Sequence, residues 1–134
     1  MRFMMLMIPA VYQGANGQKV GADFSPSVEA VERMDKYNDE LTNAGVLLSL
    51  DGLHPPATAA RVTFKGGKPA ASDGLPRDAK DVLGGYWMIQ VKSREEAIRW
   101  ATRVPAEEGD TIEVRQVFDP SDFPEEVRKA MLGE

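Results

Sequence analysis

Phe3 to Ile8 (FMMLMI) is apolar at every position, the pattern of a strand covered on both faces, and Pro9 ends it because proline cannot donate to a sheet ladder. From Val11 to Phe24 the chain turns polar and Gly-rich with no period of two or 3.6, so it reads as a loop. Two roles fit a loop of this length: a lid over a site, or a solvated connector. Ser25-Pro26 then opens a helix, the hydroxyl capping free amides and the proline losing no hydrogen bond at the first helical position. Val28, Val31, Met34, Asn38 and Leu41 recur at threes and fours and mark its buried stripe, while Glu29, Glu32, Arg33, Asp35, Lys36, Asp39 and Glu40 face water. Gly45 can take the left-handed conformation that closes the helix.

Val46 to Leu50 is the second strand, and it delivers Asp51, Gly52, Leu53, His54, Pro55 and Pro56 at its end. Ala60 to Lys65 alternates as a half-exposed strand should, Gly66-Gly67 is a two-residue hairpin signal, and Lys68 to Ser72 returns antiparallel. A charge-dense, Gly-containing loop from Asp73 runs into a further apolar strand, Tyr86 to Val91. Gly84-Gly85, just before that strand, permits a bulge or a close backbone approach. Ser93 and Glu96 have the spacing of a capping box, and the helix behind them carries Ala97, Ile98, Ala101 and Val104 on one face, with Trp100 off the stripe and Pro105 as the stop. Thr111 to Phe118 alternates again as the last strand, and Asp122 to Leu132 reads as a short C-terminal helix with Phe123, Val127, Ala130 and Met131 available to pack.

The order is β-α-β-β-α-β with a hairpin inserted in the middle and a helical tail, an α+β domain. Two helices cover one face of such a sheet and leave the other open. The Val114 and Phe118 side of the last strand and the second face of Phe3 to Ile8 are then expected to expose apolar area, for which a second copy is the simplest cover.

A length of 134 residues gives one domain, 1–134, large enough to bury its own core. No apolar run approaches the ~20 residues of a membrane span, and no signal-peptide cleavage site follows the apolar start. The chain has no cysteine, so thiolate chemistry and disulfides are excluded and a reducing cytoplasm is the expected compartment. Sixteen Lys plus Arg against 21 Asp plus Glu give a net charge of −5, a field that opposes phosphate backbones and argues against a nucleic-acid partner. With one histidine and no cysteine, no metal or cofactor site is expected; a carboxylate-only magnesium site stays open.

The segments D73-G-L-P, K80-D-V-L-G-G-Y-W-M-I-Q-V, S93-R-E-E-A-I-R-W-A and I112-E-V-R-Q-V, with R2-F-M-M-L-M at the start and A44-G-V-L-L-S-L-D-G-L-H-P-P in the middle, resemble the YCII-related domain family in its DGPF subgroup. The signature departs from the subgroup at Leu75 and Pro76, which stand where Pro-Phe is usual, and at Lys80-Asp81, where Lys-Glu is usual; Asp73, Gly74 and Lys80 match. The resemblance implies a ferredoxin-like fold pairing sheet to sheet as a dimeric α/β barrel, a histidine and aspartate pair in a small-molecule cleft, and association with a sigma factor. It names no settled reaction.

His54, the sole histidine, follows a strand end and precedes two stiffening prolines, and Asp73 also begins a loop after a strand. If the two loops share an edge, the carboxylate would orient the imidazole as a general acid or base, with Arg77 and Lys80 offering cations to an anionic substrate. The alternative is that His54 caps a surface turn, Asp73 makes an Asx-turn and the charged loop is simply solvated. Two function classes therefore stand side by side: an acid-base enzyme of the lyase or isomerase kind, and a non-catalytic module that binds a small molecule or a regulatory protein. Glu113 and Arg115 share one face of the last strand and are expected to form an ion pair.

Overall fold

The computed structural model describes residues 1–133. Its centre is a four-stranded antiparallel sheet of β1 (Arg2–Ile8), β2 (Leu47–Gly52), β5 (Gly85–Gln90) and β6 (Thr111–Gln116), in the order β2-β5-β1-β6. The hairpin strands β3 (Ala60–Lys65) and β4 (Lys68–Asp73) form a separate two-stranded sheet turned by Gly66 and Gly67, both at positive φ, and every residue of both strands is exposed. The helices are the single turn α1 (Gly14–Gly17), α2 (Val28–Asn43), α3 (Arg94–Thr102) and α4 (Glu125–Met131). None is long and apolar enough to cross a membrane among the described residues.

The antiparallel register pairs Ile8 with Thr111, Met7 with Gly85 and Gly52 with Gly85. The exits of β1 and β2 and the entries of β5 and β6 therefore meet at one edge of the sheet, and the loops attached to them meet there too. On one face Phe3 and Met5 of β1 and Trp87 and Ile89 of β5 pack with Tyr37 and Leu41 of α2 and Ala97 of α3 into the core. Burying a side chain of the Phe, Met, Leu or Ile kind stabilises by about 1.5–3 kcal/mol, so this helix-to-sheet contact holds the domain together. Its two polar atoms are satisfied: the Trp87 Nε1–H donates to Asn38 Oδ1 at 2.8 Å and the Tyr37 hydroxyl donates to the Trp100 carbonyl at 2.7 Å.

Several expectations are corrected here. The serine that caps α2 is Ser27, whose Oγ accepts from the Ala30 amide at 3.1 Å, two positions after Ser25. The buried stripe of α2 begins later than the spacing implies: Val28 and Val31 are exposed, and Tyr37 fills the core instead. Trp100 is not off the packing face; it is half-buried against the core, with the Arg103 guanidinium 4.5 Å above its ring. Glu96 reaches the amide of Lys92 rather than that of Ser93, although Ser93 Oγ accepts from the Glu96 amide as a capping box requires.

The largest correction concerns the sheet's open face. Val114 stands opposite Met5, on the helix side, and packs against the core. The open face instead carries half-buried Met4, Leu6, Tyr86 and Met88, which stand opposite one another across β1 and β5. It is flanked by the intrastrand Arg115–Glu113 ion pair at 3.2 Å and by the Tyr86 hydroxyl donating to Asp51 Oδ2 at 2.9 Å. The last strand ends at Gln116, so Phe118 lies beyond it, exposed, with its ring 4.6 Å from that of Phe123 and tilted 34° to it. The C-terminal helix is shorter than its pattern and exposes Val127 and Met131.

Burial raises the Tyr37 phenol well above its ordinary range, the nearby Arg103 charge opposing this and Glu40 reinforcing it. The folded state thus keeps Tyr37 neutral where the unfolded chain ionises it, near pH 10. Stability from this group is fully present below that pH and falls as pH rises beyond it. Replacing Tyr37 by Phe is expected to cost about 1–2 kcal/mol at neutral pH, because the Trp100 carbonyl loses its donor, and to flatten the loss of stability above pH 10. Urea melts of both proteins at neutral and alkaline pH check this; equal midpoints and equal alkaline slopes would contradict it.

Candidate functional site

The loops at the convergent sheet edge are fastened by backbone. The Gly84 amide donates to the Met7 carbonyl at 2.8 Å, and the Gly84 carbonyl accepts from the Leu53 amide at 2.9 Å, so a line of hydrogen bonds runs from β1 through Gly84 to the residue before His54. A side chain at Gly84 would place its Cβ 2.6 Å from Pro9 Cγ, and one at Gly85 would lie 2.8 Å from the Asp51 carbonyl oxygen. Both positions therefore require glycine for close approach, as the Gly84-Gly85 pair in the sequence implies. The Leu53 carbonyl in turn accepts from the Tyr12 hydroxyl at 3.2 Å, and Pro55 and Pro56 just beyond are buried. His54 thus projects from a loop held on both sides.

The segment between β1 and α2 is more ordered than a featureless loop. Gln13 acts as a clasp: its Nε2 donates to the Pro9 carbonyl at 2.7 Å and the Val82 carbonyl at 2.8 Å, while its Oε1 accepts from the Val82 amide at 2.9 Å. The side-chain amide replaces a strand neighbour for Val82 and joins this segment to the loop before β5. Gly17 sits against the Tyr12 backbone so closely that a Cβ there would overlap its carbonyl. Tyr12, buried, meets Phe24 edge to face at 5.9 Å, and burial raises its phenol above the ordinary tyrosine range, so it is a neutral hydrogen-bond donor. Val11, Tyr12 and Phe24 of this segment line a cleft.

That cleft, about 660 Å³, opens between the sheet edge, the first turns of α2 and the His54 loop. Its wall is largely apolar, with Met7, Pro9, Phe24 and Met34 prominent, and its ionisable or hydroxyl side chains are Tyr12, His54, Glu107 and Asp110. Three of these are engaged within the chain. Tyr12 donates to Leu53; Asp110 accepts from the amides of Ala10 and Glu107, each at 2.8 Å; Glu107 pairs with Arg33 at 2.9 Å. His54, exposed, has no hydrogen bond or ion pair among the described residues.

A second cavity of about 420 Å³ shares Leu53 and His54 with the first and is lined by Arg61, Leu75, Lys80 and Asp81 among others. The structure therefore brings His54 and Lys80 to one cavity. Asp73 stands at the end of β4 opposite Ala60, exposed and outside the lining of either cavity, one residue from Gly74, whose amide donates to the Ala59 carbonyl at 2.6 Å at the cavity's margin. No hydrogen bond or ion pair joins Asp73 to His54 among the described residues, nor does Asp73 make the side-chain bond of an Asx-turn. Arg77 is exposed and lines neither cavity. Leu75, where the aromatic-containing signature departs, is half-buried and contributes apolar wall.

Sequence reasoning missed Tyr12, Arg61 and Asp81. Arg61 had a usable signal, since it is the first charged residue after the His54 loop on a strand that alternates. Asp81 had none: its positive φ of 54° is a property of the folded loop. Among the described residues no three His, Asp or Glu side chains converge as a metal ion would need.

No curated protein matches the chain. The model of the YCII-related domain, a family of uncharacterised function, matches residues 1–121, and with nine-tenths of its length covered and the fastened His54 loop lying within that span, the chain belongs to this family.

Proposed function

We propose that the His54 cleft is a small-molecule site in which this histidine moves a proton, an acid-base activity of the lyase or isomerase kind. The observation that carries it is that, of the ionisable or hydroxyl side chains on the cleft wall, His54 makes no bond among the described residues, while Tyr12, Asp110 and Glu107 are used to build the wall. Histidine is the residue whose ordinary titration range suits proton transfer near neutral pH. In this reading Lys80, which lines the second cavity with His54, attracts an anionic substrate, while the parts of Asp73 as ring orienter and Arg77 as second cation call for a closer approach than the structure shows. Apolar walls with few polar groups are what a site for a small organic molecule needs. The second reading, a non-catalytic module that binds a small molecule or a regulatory protein such as a sigma factor, draws on the exposed apolar residues Val62 and Phe64 of the hairpin.

For the assembly, we propose a ferredoxin-like domain of the DGPF subgroup that pairs with a second copy through the helix-free sheet face as a dimeric α/β barrel in the cytoplasm. Its support is the strand order β2-β5-β1-β6, the Asp73-Gly74 remnant of the signature, the absence of cysteine, and the half-buried Met4, Leu6 and Met88 ringed by polar pairs. An apolar centre with a polar rim is the usual anatomy of a protein interface.

Two measurements check these proposals. A metabolite thermal-shift screen on the wild-type protein and on His54→Ala is expected to find compounds whose stabilisation drops in the variant and which the wild type converts; equal shifts in both would place the site elsewhere, and stabilising compounds that the wild type leaves unconverted would favour the binding module. Light scattering at micromolar concentration is expected to give a dimeric mass, and a monomeric mass would refute the barrel.

A further inference from the structure

The two cavities that share His54 differ in character. The larger is walled mainly by apolar groups, whereas the smaller brings Arg61 from β3 and Lys80 from the loop before β5 to the same space, against the single acidic residue Asp81. Neither cation has an ion-pair partner among the described residues, whose four ion pairs use Arg33, Arg103, Arg115 and Lys129. Most cations of the chain are likewise without an ion-pair partner among the described residues, so what marks this wall is that two of them line one cavity and outnumber its single carboxylate, which favours an anion there. The guanidinium of Arg61 presents a planar fork that matches a carboxylate, and the Lys80 ammonium adds a point charge.

We propose that the ligand of the His54 cleft is an amphipathic organic carboxylate, its apolar body in the larger cavity and its carboxylate between Arg61 and Lys80 in the smaller. This rests on the reading of the cleft as a small-molecule site and adds the ligand's chemical class and Arg61 as a binding residue. Because His54 lines both cavities, it borders the place where the two parts of such a ligand would join.

The test is a calorimetric or NMR titration with hexanoate, hexanol and hexylamine, which share an apolar body and differ in charge. Wild-type protein is expected to bind hexanoate at least about tenfold more tightly than hexanol, a difference of about 1.4 kcal/mol, with hexylamine weakest. Both cations lie on the surface, so the double variant Arg61→Gln/Lys80→Gln is expected to fold, to bind hexanol as before and to lose the preference for the anion. Arg61→Glu/Lys80→Glu is expected to reverse it towards hexylamine. Equal binding of hexanoate and hexanol by the wild type, or an anion preference that survives in the glutamine variant, would overturn the proposal while leaving the cleft reading intact. Failure of all three compounds to bind would overturn both.

Discussion

Two residues without side chains set the geometry of this domain's working edge. At Gly84 and Gly85 the backbone passes close enough to Pro9 and to Asp51 that no Cβ fits at either position. That approach lets one residue, Gly84, bond to β1 through its amide and to the His54 loop through its carbonyl. The cleft is therefore a consequence of sheet construction: β1 and β2 leave, β5 and β6 enter, and glycine at the crossing point draws their loops into contact. Gln13 extends the same logic with a side chain, giving Val82 both hydrogen bonds that a neighbouring strand would have supplied.

Rigidity on one side of the sheet contrasts with incompleteness on the other. The helix side is packed around Leu41, Ile89 and Ala97, all fully buried, and its polar atoms are paired. The open side holds an apolar centre of methionines and Leu6 with charged or hydroxyl pairs around it, and the hairpin of β3 and β4 extends with no strand partner from the central sheet. A two-stranded hairpin alone is marginal in water, so contacts beyond a single copy would change this half of the molecule more than the packed half.

How much of this was legible in the sequence differs by kind of signal. Long periodic segments and turn chemistry placed every strand of the central sheet and both long helices, because the apolar run of β1, the Gly66-Gly67 turn and the Ser93 cap are local features whose physics is contained in a few residues. The facing of β6 was not legible: Ile112 and Val114 alternate with Glu113 and Arg115 in either orientation, and only the pairing of Val114 with Met5 decides which side meets the helices. The inward turn of Tyr37 was hidden for a related reason, since Val28 and Val31 share the stripe spacing yet are exposed, and the spacing alone does not say which turns meet the sheet. His54 and Lys80 could be singled out as a lone histidine and a loop cation. Their shared cavity, and the arrival of Arg61 in place of Arg77, depend on how the hairpin and the loop before β5 fold back, which no local pattern records.

On the proposed function, ligands enter at the sheet edge beside His54 and not on the open sheet face. Since the chain has one histidine, its imidazole signals in an NMR spectrum are unambiguous. Titration with a compound that stabilises the protein is predicted to move the His54 imidazole signals together with the amides of Leu53 and Val82, all saturating at one concentration. Movement confined to Leu6, Tyr86 and Met88, with His54 unchanged, would contradict it.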